Sequence, residues 1–281
     1  QINLHLLALI PIFVLQNVTR AMVTLDAIRG PVAQELEEFD AFVRRNFKVE
    51  NELLSGMVDY ILSSRGKGVR RLLVLLPAAL NAPAGGRGIG QRTYLAAMLD
   101  VIDEADTRRG RASANVKWQS RNAVVLGDYL LARNMELGMR SGQYDLVSYV
   151  IASIATLCEG ELLQSDRAER MEITRDAYLE IIYKKTASLL GISAGVGALS
   201  AGANREQVAR MRRFGDALGM AFQIQADILD FPRGAETGKP SNNDLREHKI
   251  TLPLLLLLDR ADAARRDELL ALLARCREAE A

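Results

Sequence analysis

Residues 217–231 read ALGMAFQIQADILDF. Apolar residues recur in this stretch at three- and four-residue spacing, which is the period of an amphipathic α-helix. The same spacing recurs along most of the chain, in segments rich in the strong helix formers alanine, leucine, arginine and glutamate. Sustained period-two alternation and Asn-Gly or Asp-Gly hairpin signals are missing from the sequence. The pattern predicts an all-α protein with helices over 33–47, 50–63, 69–80, 92–106, 117–140, 144–164, 174–200, 204–231 and 252–277.

The segments between these helices are short. None of them is long enough, or sufficiently low in complexity, to act as an interdomain linker. We therefore expect one large helical domain rather than two small ones. The breaks fall at 64–68, 81–90, 107–115, 141–143 and 232–248.

The composition is that of an ordinary globular protein. The 281 residues are 49% hydrophobic and 25% charged, with a formal net charge of +1. This excludes wholesale disorder, and the near-zero charge argues against a dedicated nucleic-acid-binding protein. Two cysteines form no disulfide framework, so a reducing, cytoplasmic location is expected.

The first 21 residues stand apart from the rest and are interpreted as a leader or an N-terminal helix. Their apolar run is broken by His5, Pro11 and Gln16, and it is shorter than the roughly 20 residues that a spanning helix needs. No basic residues precede it, as a secretory signal would require. No other segment is expected to approach spanning length, so we predict no transmembrane segment.

Two pairs of aspartates each lie three residues apart, Asp100 with Asp103 and Asp227 with Asp230. At this spacing both carboxylates of a pair project from one face of a helix. A solvated surface is the ordinary explanation for either pair alone. The second pair, however, has apolar neighbours on nearly every side, and carboxylates in such surroundings need a partner such as a hard divalent cation.

Clusters of basic residues accompany these carboxylates. Lys and Arg are common surface residues, so each cluster alone is a weak signal. Their combination with two carboxylate pairs in an apolar helical bundle predicts a site for a magnesium-bridged diphosphate with an apolar tail. The clusters include Lys67 and Arg70, Arg108 and Arg109, Lys184 and Lys185, and Lys239 and Lys249.

The order of these motifs resembles that of the trans-isoprenyl diphosphate synthases, also called polyprenyl synthetases. The resemblance runs from about Leu25 to about Leu258 and leaves the N-terminal twenty residues uncovered. It rests on GKGVR (66–70), DVIDEADTRRGRASAN (100–115), LGDYLLA (126–132), EGELLQ (159–164), KKTASLL (184–190), FQIQADILDF (222–231) and GKPSNNDLREHKITLPL (238–254).

The resemblance implies an all-α bundle around a central cavity, usually a homodimer. It implies that isopentenyl diphosphate condenses with an allylic diphosphate by ionisation, attack and proton loss, giving a longer trans-polyprenyl diphosphate. Asp100, Asp103, Asp227 and Asp230 would hold Mg²⁺. Arg108, Lys185 and Lys249 would bind the allylic diphosphate, and Lys67, Arg70 and Arg109 the isopentenyl diphosphate. Thr186 and Gln223 would lie near the reacting carbons, and these two residues and Lys185 are the predicted catalytic residues.

The sequence departs from the family pattern at both aspartate motifs. Each normally opens with two adjacent aspartates, but here the first position holds Leu99 in one motif and Ala226 in the other. Compared with the family pattern, we expect about three turns of helix to be absent between Leu99 and Asp100, together with the helices that usually close the family's C-terminus. The polyprenyl synthetase domain is thus assigned to 22–281, without those segments.

Two functions follow from this pattern. The first is a polyprenyl diphosphate synthase that retains the diphosphate-binding residues. The alternative is a non-catalytic subunit of a heteromeric synthase, favoured by the loss of the opening aspartate in both motifs. The first predicts magnesium-dependent elongation by the isolated chain, and the second predicts none.

Overall fold

The computed structural model describes residues 23–63, 68–83, 89–101, 117–118, 120–170, 174–230 and 251–278. All regular elements in these ranges are helical, and the prediction of an all-α fold is confirmed. A 3₁₀ turn at Gly30–Val32 follows the helix Leu25–Arg29, and a π-helical turn at Tyr183–Ala187 joins the helices Arg175–Ile182 and Ser188–Ser200. The helices are α1 Leu25–Arg29, α2 Ala33–Asn46, α3 Glu52–Ser63, α4 Val69–Asn81, α5 Gln91–Val101, α6 Ser120–Arg140, α7 Tyr144–Arg170, α8 Arg175–Ile182, α9 Ser188–Ser200, α10 Arg205–Asp230, α11 Leu252–Arg260 and α12 Ala263–Glu278.

The helix expected over 252–277 is in fact two helices, and Asp262 separates them. Ala261 adopts an extended conformation after α11. The Asp262 carboxylate then accepts a hydrogen bond of 2.9 Å from the backbone N–H of Arg265. A side chain that caps a helix start in this way satisfies one of its free N–H groups. The apolar periodicity continues across the break, which is why the sequence pattern did not reveal it.

Helix α9 forms the centre of the core. It packs against α4, α5, α7 and α10, and ten of its thirteen residues are buried. Small residues allow this close approach. A methyl group at Gly197 would collide with the backbone carbonyl of Val74 on α4, and one at Gly215 on α10 would collide with that of Leu190. The long helices α7 and α10 thereby both pack against one short central helix.

Polar contacts attach α2 to this core. The Tyr94 hydroxyl of α5 donates a hydrogen bond of 2.6 Å to the Glu38 carboxylate, and Arg71 of α4 forms a 2.8 Å ion pair with Asp40. Burial, reinforced by Glu38, raises the pKa of Tyr94. Its hydroxyl therefore stays protonated and remains a donor at neutral pH.

Helix α7 corrects one expectation from the sequence. Residues Tyr144–Ala168 are long and apolar enough to cross a membrane, judged by length and composition alone. Only 28% of the most apolar part of this span is buried inside the molecule. The prediction that no segment approaches spanning length is therefore wrong for α7, although one such helix is weak support for a membrane location.

Candidate active site

The π turn at Tyr183–Ala187 carries two of the predicted catalytic residues, Lys185 and Thr186. In this turn the N–H of Ser188 donates to the carbonyl of Tyr183, five residues earlier. The Ser188 hydroxyl donates to the Lys184 carbonyl at 2.9 Å, so that carbonyl also has a partner. π turns are rare and are frequently found at functional sites.

Glycines on two neighbouring helices allow the π turn to lie close to them. A Cβ atom at Gly160 of α7 would be 2.9 Å from the backbone nitrogen of Lys185. A Cβ atom at Gly219 of α10 would collide with the Cα atom of Ala187. The turn is thus wedged between α7 and α10, and its side chains point toward polar residues of both.

A chain of hydrogen bonds connects the turn to α10 and α8. The Thr186 hydroxyl donates to Gln223 Oε1 at 2.8 Å, and Gln223 Nε2 donates to Asp227 Oδ1 at 2.7 Å. The Tyr178 hydroxyl of α8 donates to the other oxygen, Asp227 Oδ2, at 2.7 Å. The structure thereby brings together three of the predicted residues, Thr186, Gln223 and Asp227.

Tyr178 is the member of this chain that the sequence analysis missed. It is buried and belongs to the core cluster around α8, α10 and α11. Its position in α8 looks like that of any core aromatic residue. Only the crossing of α8 over α10, which no local pattern encodes, brings its hydroxyl to the aspartate.

The two lysines of the turn are held by acidic and amide side chains. Lys185 Nζ lies 2.9 Å from Glu161 Oε2 and 2.8 Å from Gln164 Oε1, both on α7. Lys184 pairs with Glu180 of α8 at 3.0 Å and with Glu159 of α7 at 3.3 Å. These hydrogen bonds raise the pKa of Lys184, that from Glu180 most strongly.

The Lys185 ammonium is only partly buried. Because its carboxylate partner Glu161 is half exposed, the pair is only weakly held. An incoming diphosphate could replace Glu161 as the partner of the ammonium group.

Arg70, predicted to bind a diphosphate, lies in the first turn of α4. It is buried, with 8% of its surface exposed. Gly68 precedes the helix in the left-handed conformation, at a φ of 65°. A left-handed glycine before a helix start directs free backbone N–H groups outward, an arrangement that suits anions.

Several predicted residues lie outside the described part of the chain. The backbone of Asp100 belongs to α5, but its side chain is not described. The structure thus gives no side-chain geometry for the first aspartate motif or for four of the six predicted diphosphate-binding residues. Those outside the described residues are Lys67, Asp103, Arg108, Arg109 and Lys249.

The donor set of the second aspartate motif fits a divalent metal ion in part. Asp227 is 3% exposed and each of its oxygens already accepts a hydrogen bond from the protein. Asp230, one turn later, is partly exposed and offers the hard oxygen donors that magnesium prefers. Within the described ranges no three His, Cys, Asp or Glu side chains form a group that could hold a metal. Metal binding by Asp227 and Asp230 therefore stays a prediction.

Comparisons with known proteins identify the family of this chain. Residues 51–281 match the family model described as Polyprenyl synthetase. Heptaprenyl diphosphate synthase component 2 of Geobacillus stearothermophilus is 34% identical over 246 residues, 83% of this chain and 76% of that protein.

Solved structures show the same likeness. A decaprenyl diphosphate synthase from Rhodobacter capsulatus superimposes with a TM-score of 0.76 at 32% identity, covering 87% of this chain and 78% of that one. A polyprenyl synthase from Caulobacter crescentus, complexed with calcium and isoprenyl diphosphate, gives the same TM-score at 27% identity, covering 92% and 84%. The match of fold, motif order and family model makes this chain a member of the polyprenyl synthetase family.

Proposed function

We propose that this chain is a prenyltransferase that condenses isopentenyl diphosphate with an allylic diphosphate to give a longer trans-polyprenyl diphosphate. Family membership supports prenyl transfer in general. The observation that carries the finer proposal is the hydrogen-bonded chain from Tyr178 through Asp227 and Gln223 to Thr186, beside Lys185. This hydrogen-bonded chain provides a fixed polar surface, and the ammonium group of Lys185 lies beside it at one edge of an apolar helical bundle.

Each residue of this arrangement has a role in the proposed reaction. The Lys185 ammonium would exchange Glu161 for a diphosphate oxygen and offset the charge of the leaving group. Because Asp227 fixes the amide of Gln223, the Oε1 atom points toward Thr186. The two oxygen dipoles would then face the positive charge that develops on the allylic carbons.

Magnesium, when bound, would neutralise the diphosphate and ease its departure. Asp230 would hold it, with Asp100, Asp103 and Asp227 as the further predicted ligands. The Caulobacter relative is complexed with calcium and isoprenyl diphosphate, which supports a divalent cation as part of the proposed chemistry. The apolar packing of α9 and α10 would keep water from the cation intermediate.

Turnover of the purified chain tests this proposal. The protein is incubated with labelled isopentenyl diphosphate, an allylic diphosphate of ten to twenty carbons and Mg²⁺, and the products are separated by length. We expect elongated products that disappear when EDTA is added. Absence of elongation from a folded chain that binds the diphosphate would overturn the proposal.

Ala226 favours a second candidate function, that of a non-catalytic subunit of a two-component synthase. It lies one turn before Asp230 on α10, where the family pattern has an aspartate. The relative from Geobacillus stearothermophilus is named as component 2 of a heptaprenyl diphosphate synthase, so a protein similar to this chain belongs to a synthase of more than one component. Restoring the carboxylate with Ala226→Asp separates the two candidates, and Ala226→Asn serves as the uncharged control. Activity that appears only in the aspartate variant would assign the native chain to the non-catalytic function.

We also propose that the chain pairs with a second copy of itself through α6 and α7. The exposed faces of these two antiparallel helices carry large apolar side chains, and faces of this kind commonly form protein interfaces. Leu162→Asp should weaken the dimer in sedimentation experiments. Leu80→Asp, at an equally exposed leucine of α4, should leave it unchanged. The side chains on this face are Val124, Val125, Met139, Tyr144, Ile151 and Leu162.

A further inference from the structure

A surface cavity of about 380 Å³ lies where α2, α3 and the residues just before α6 meet. A cavity of this volume is large enough for a small molecule. None of the residues that line it belongs to the π turn or to the hydrogen-bonded chain of the candidate active site. Most of them lie on one face of α3, at helical spacing. The lining residues include Arg44, Gly56, Asp59, Tyr60, Ser63 and Lys117.

Lys117 presents a fixed ammonium group at this cavity. Its Nζ atom lies 4.0 Å from the centre of the Tyr60 ring and 4.6 Å from that of the Trp118 ring. Both distances are within the range of a cation–π interaction. The two rings meet edge to face, with their centres 5.0 Å apart. The ammonium group is therefore held against two aromatic side chains, and no carboxylate in the described part of the chain pairs with it.

Two further charged side chains line the same cavity. Arg44 of α2 and Asp59 of α3 are both exposed, and neither forms an ion pair with another described residue. A single unpaired charge on a protein surface is ordinary. Here, however, two cations and one carboxylate surround one small concave space. Because these charges are not neutralised by contacts with one another, all three can interact with a ligand.

These charges select the chemistry of the ligand. Guanidinium and ammonium groups bind phosphate oxygens through charge-assisted hydrogen bonds. The ionised Asp59 carboxylate only accepts hydrogen bonds, so it attracts a hydroxyl group and repels a bare anion. Gly56 adds space, since nothing lies within 4 Å of a Cβ atom at this position.

We propose that this cavity binds a small phosphate ester whose organic part carries hydroxyl groups. Arg44 and Lys117 hold the phosphate group, and Asp59 accepts a hydrogen bond from a hydroxyl group. The site is separate from the one assigned to prenyl transfer, and the proposal does not depend on that function.

The test uses the fluorescence of Trp118, the only tryptophan of the chain. The purified full chain is titrated with ribose 5-phosphate, inorganic phosphate and ribose in the absence of metal ions, and calorimetry measures the same binding independently. Arg44→Gln and Lys117→Gln each remove one cation of the cavity. Arg45→Gln is the matched control, because Arg45 is also exposed but lies over the Phe42 ring, outside the cavity.

Three further substitutions test the geometry of the site. Asp59→Asn removes the charge that repels a bare anion. Gly56→Leu extends a side chain into the open space, whereas Gly56→Ala leaves most of that space open. Lys185→Met removes a cation of the candidate active site and leaves the cavity unchanged.

We expect ribose 5-phosphate to bind with a Kd below about 1 mM. Inorganic phosphate should bind at least about tenfold more weakly because of Asp59, and ribose should not bind measurably. Arg44→Gln and Lys117→Gln should each raise the Kd about tenfold, the effect of losing one charge-assisted hydrogen bond. Asp59→Asn should reduce the difference between the two phosphate ligands.

The cavity-filling variant Gly56→Leu should abolish binding. The three controls, Arg45→Gln, Gly56→Ala and Lys185→Met, should keep the Kd within about twofold of the wild-type value.

No saturable change in fluorescence and no binding heat from the folded wild-type chain would overturn the proposal. Equal affinity for inorganic phosphate and ribose 5-phosphate would also overturn it and indicate an adventitious ion only. A rise of the Kd in Lys185→Met as large as that in Arg44→Gln would place the ligand at the candidate active site instead. None of these measurements needs turnover, so failure of this proposal is distinguishable from failure of the proposed function.

Discussion

The contact between α4 and α9 and the contact of the π turn with α7 and α10 are built in opposite ways. In the first, Gly197 lies directly on the Val74 backbone, and the surrounding side chains are apolar and buried. In the second, Lys185 and Thr186 are partly exposed and are held by side-chain hydrogen bonds. The difference indicates that stability and substrate binding depend on separate residues, so that substitutions should affect one without the other.

The largest effect is expected in the apolar contact. Gly197→Val places a branched side chain where the Val74 carbonyl lies. Overpacking of this kind should lower the free energy of unfolding by about 3 kcal/mol, measured by urea denaturation followed by circular dichroism. Gly56→Ala is the matched control, because nothing lies within 4 Å of a Cβ atom there. Equal loss in both variants would contradict the close packing of α9 on α4.

The converse substitution lies in the polar contact. Lys185→Met should lower kcat/KM for the allylic diphosphate about 100-fold, because a cation that offsets leaving-group charge is removed. The free energy of unfolding should change by less than about 1 kcal/mol, since the ion pair with Glu161 is partly exposed. Lys184→Met is the neighbouring control and should keep kcat/KM within about threefold. A similar fall of kcat/KM in both variants would show that the total positive charge of the turn, rather than the position of Lys185, determines activity.

Tyr178 combines features of both regions, because it is buried in the core and also belongs to the hydrogen-bonded chain that ends at Thr186. Tyr178→Phe removes the donor to Asp227 Oδ2, which should lower the free energy of unfolding by about 1–3 kcal/mol. It should also lower kcat, because Asp227 fixes the amide of Gln223. Thermal unfolding and turnover measure the two effects. The exposed Tyr144→Phe should change neither, and loss of stability with unchanged kcat would confine Tyr178 to the core.

The smallest expected effect is on the pH dependence of protein stability. Burial raises the pKa of Asp216, and the nearby Arg212 opposes part of this rise. Since the folded-state pKa lies above the unfolded value, the wild-type protein should lose stability as pH rises from the usual carboxyl pKa through the folded one. Asp216→Asn removes this dependence and should be the more stable protein above that range. Melting temperatures measured across acidic to neutral pH check this, and parallel curves for the two proteins would contradict it.

Much of the fold could be predicted from the sequence, because apolar periodicity directly reports a helix with one buried face. The bounds of α2, α3, α4 and α10 agree with the pattern to within two residues. The break at Asp262 was missed, since a side-chain cap interrupts the backbone without changing the periodicity. The π turn was missed for a similar reason, because one extra residue per turn barely alters a pattern read over ten residues.

The candidate site was predictable where a motif carried it. Thr186, Gln223 and Asp227 were expected together, and they form one hydrogen-bonded chain. The family resemblance brought them to attention, and their spacing in the sequence would not have done so. Tyr178 was not predictable, because its partner Asp227 lies on another helix and the two side chains meet only through tertiary packing.

The π turn makes the relative orientation of α8 and α9 depend on how many residues the turn contains, and not only on which residues they are. An ordinary α-helix rotates by about 100° per residue, and the extra residue in the turn adds one such step. Deleting one residue from 183–187 would let this segment form a continuous α-helix, although no side chain would have been substituted. The side chains of α8 would then be rotated by about 100° relative to those of α9, and Tyr178 could no longer face Asp227. A single codon deletion in this family should therefore be more harmful here than most point substitutions.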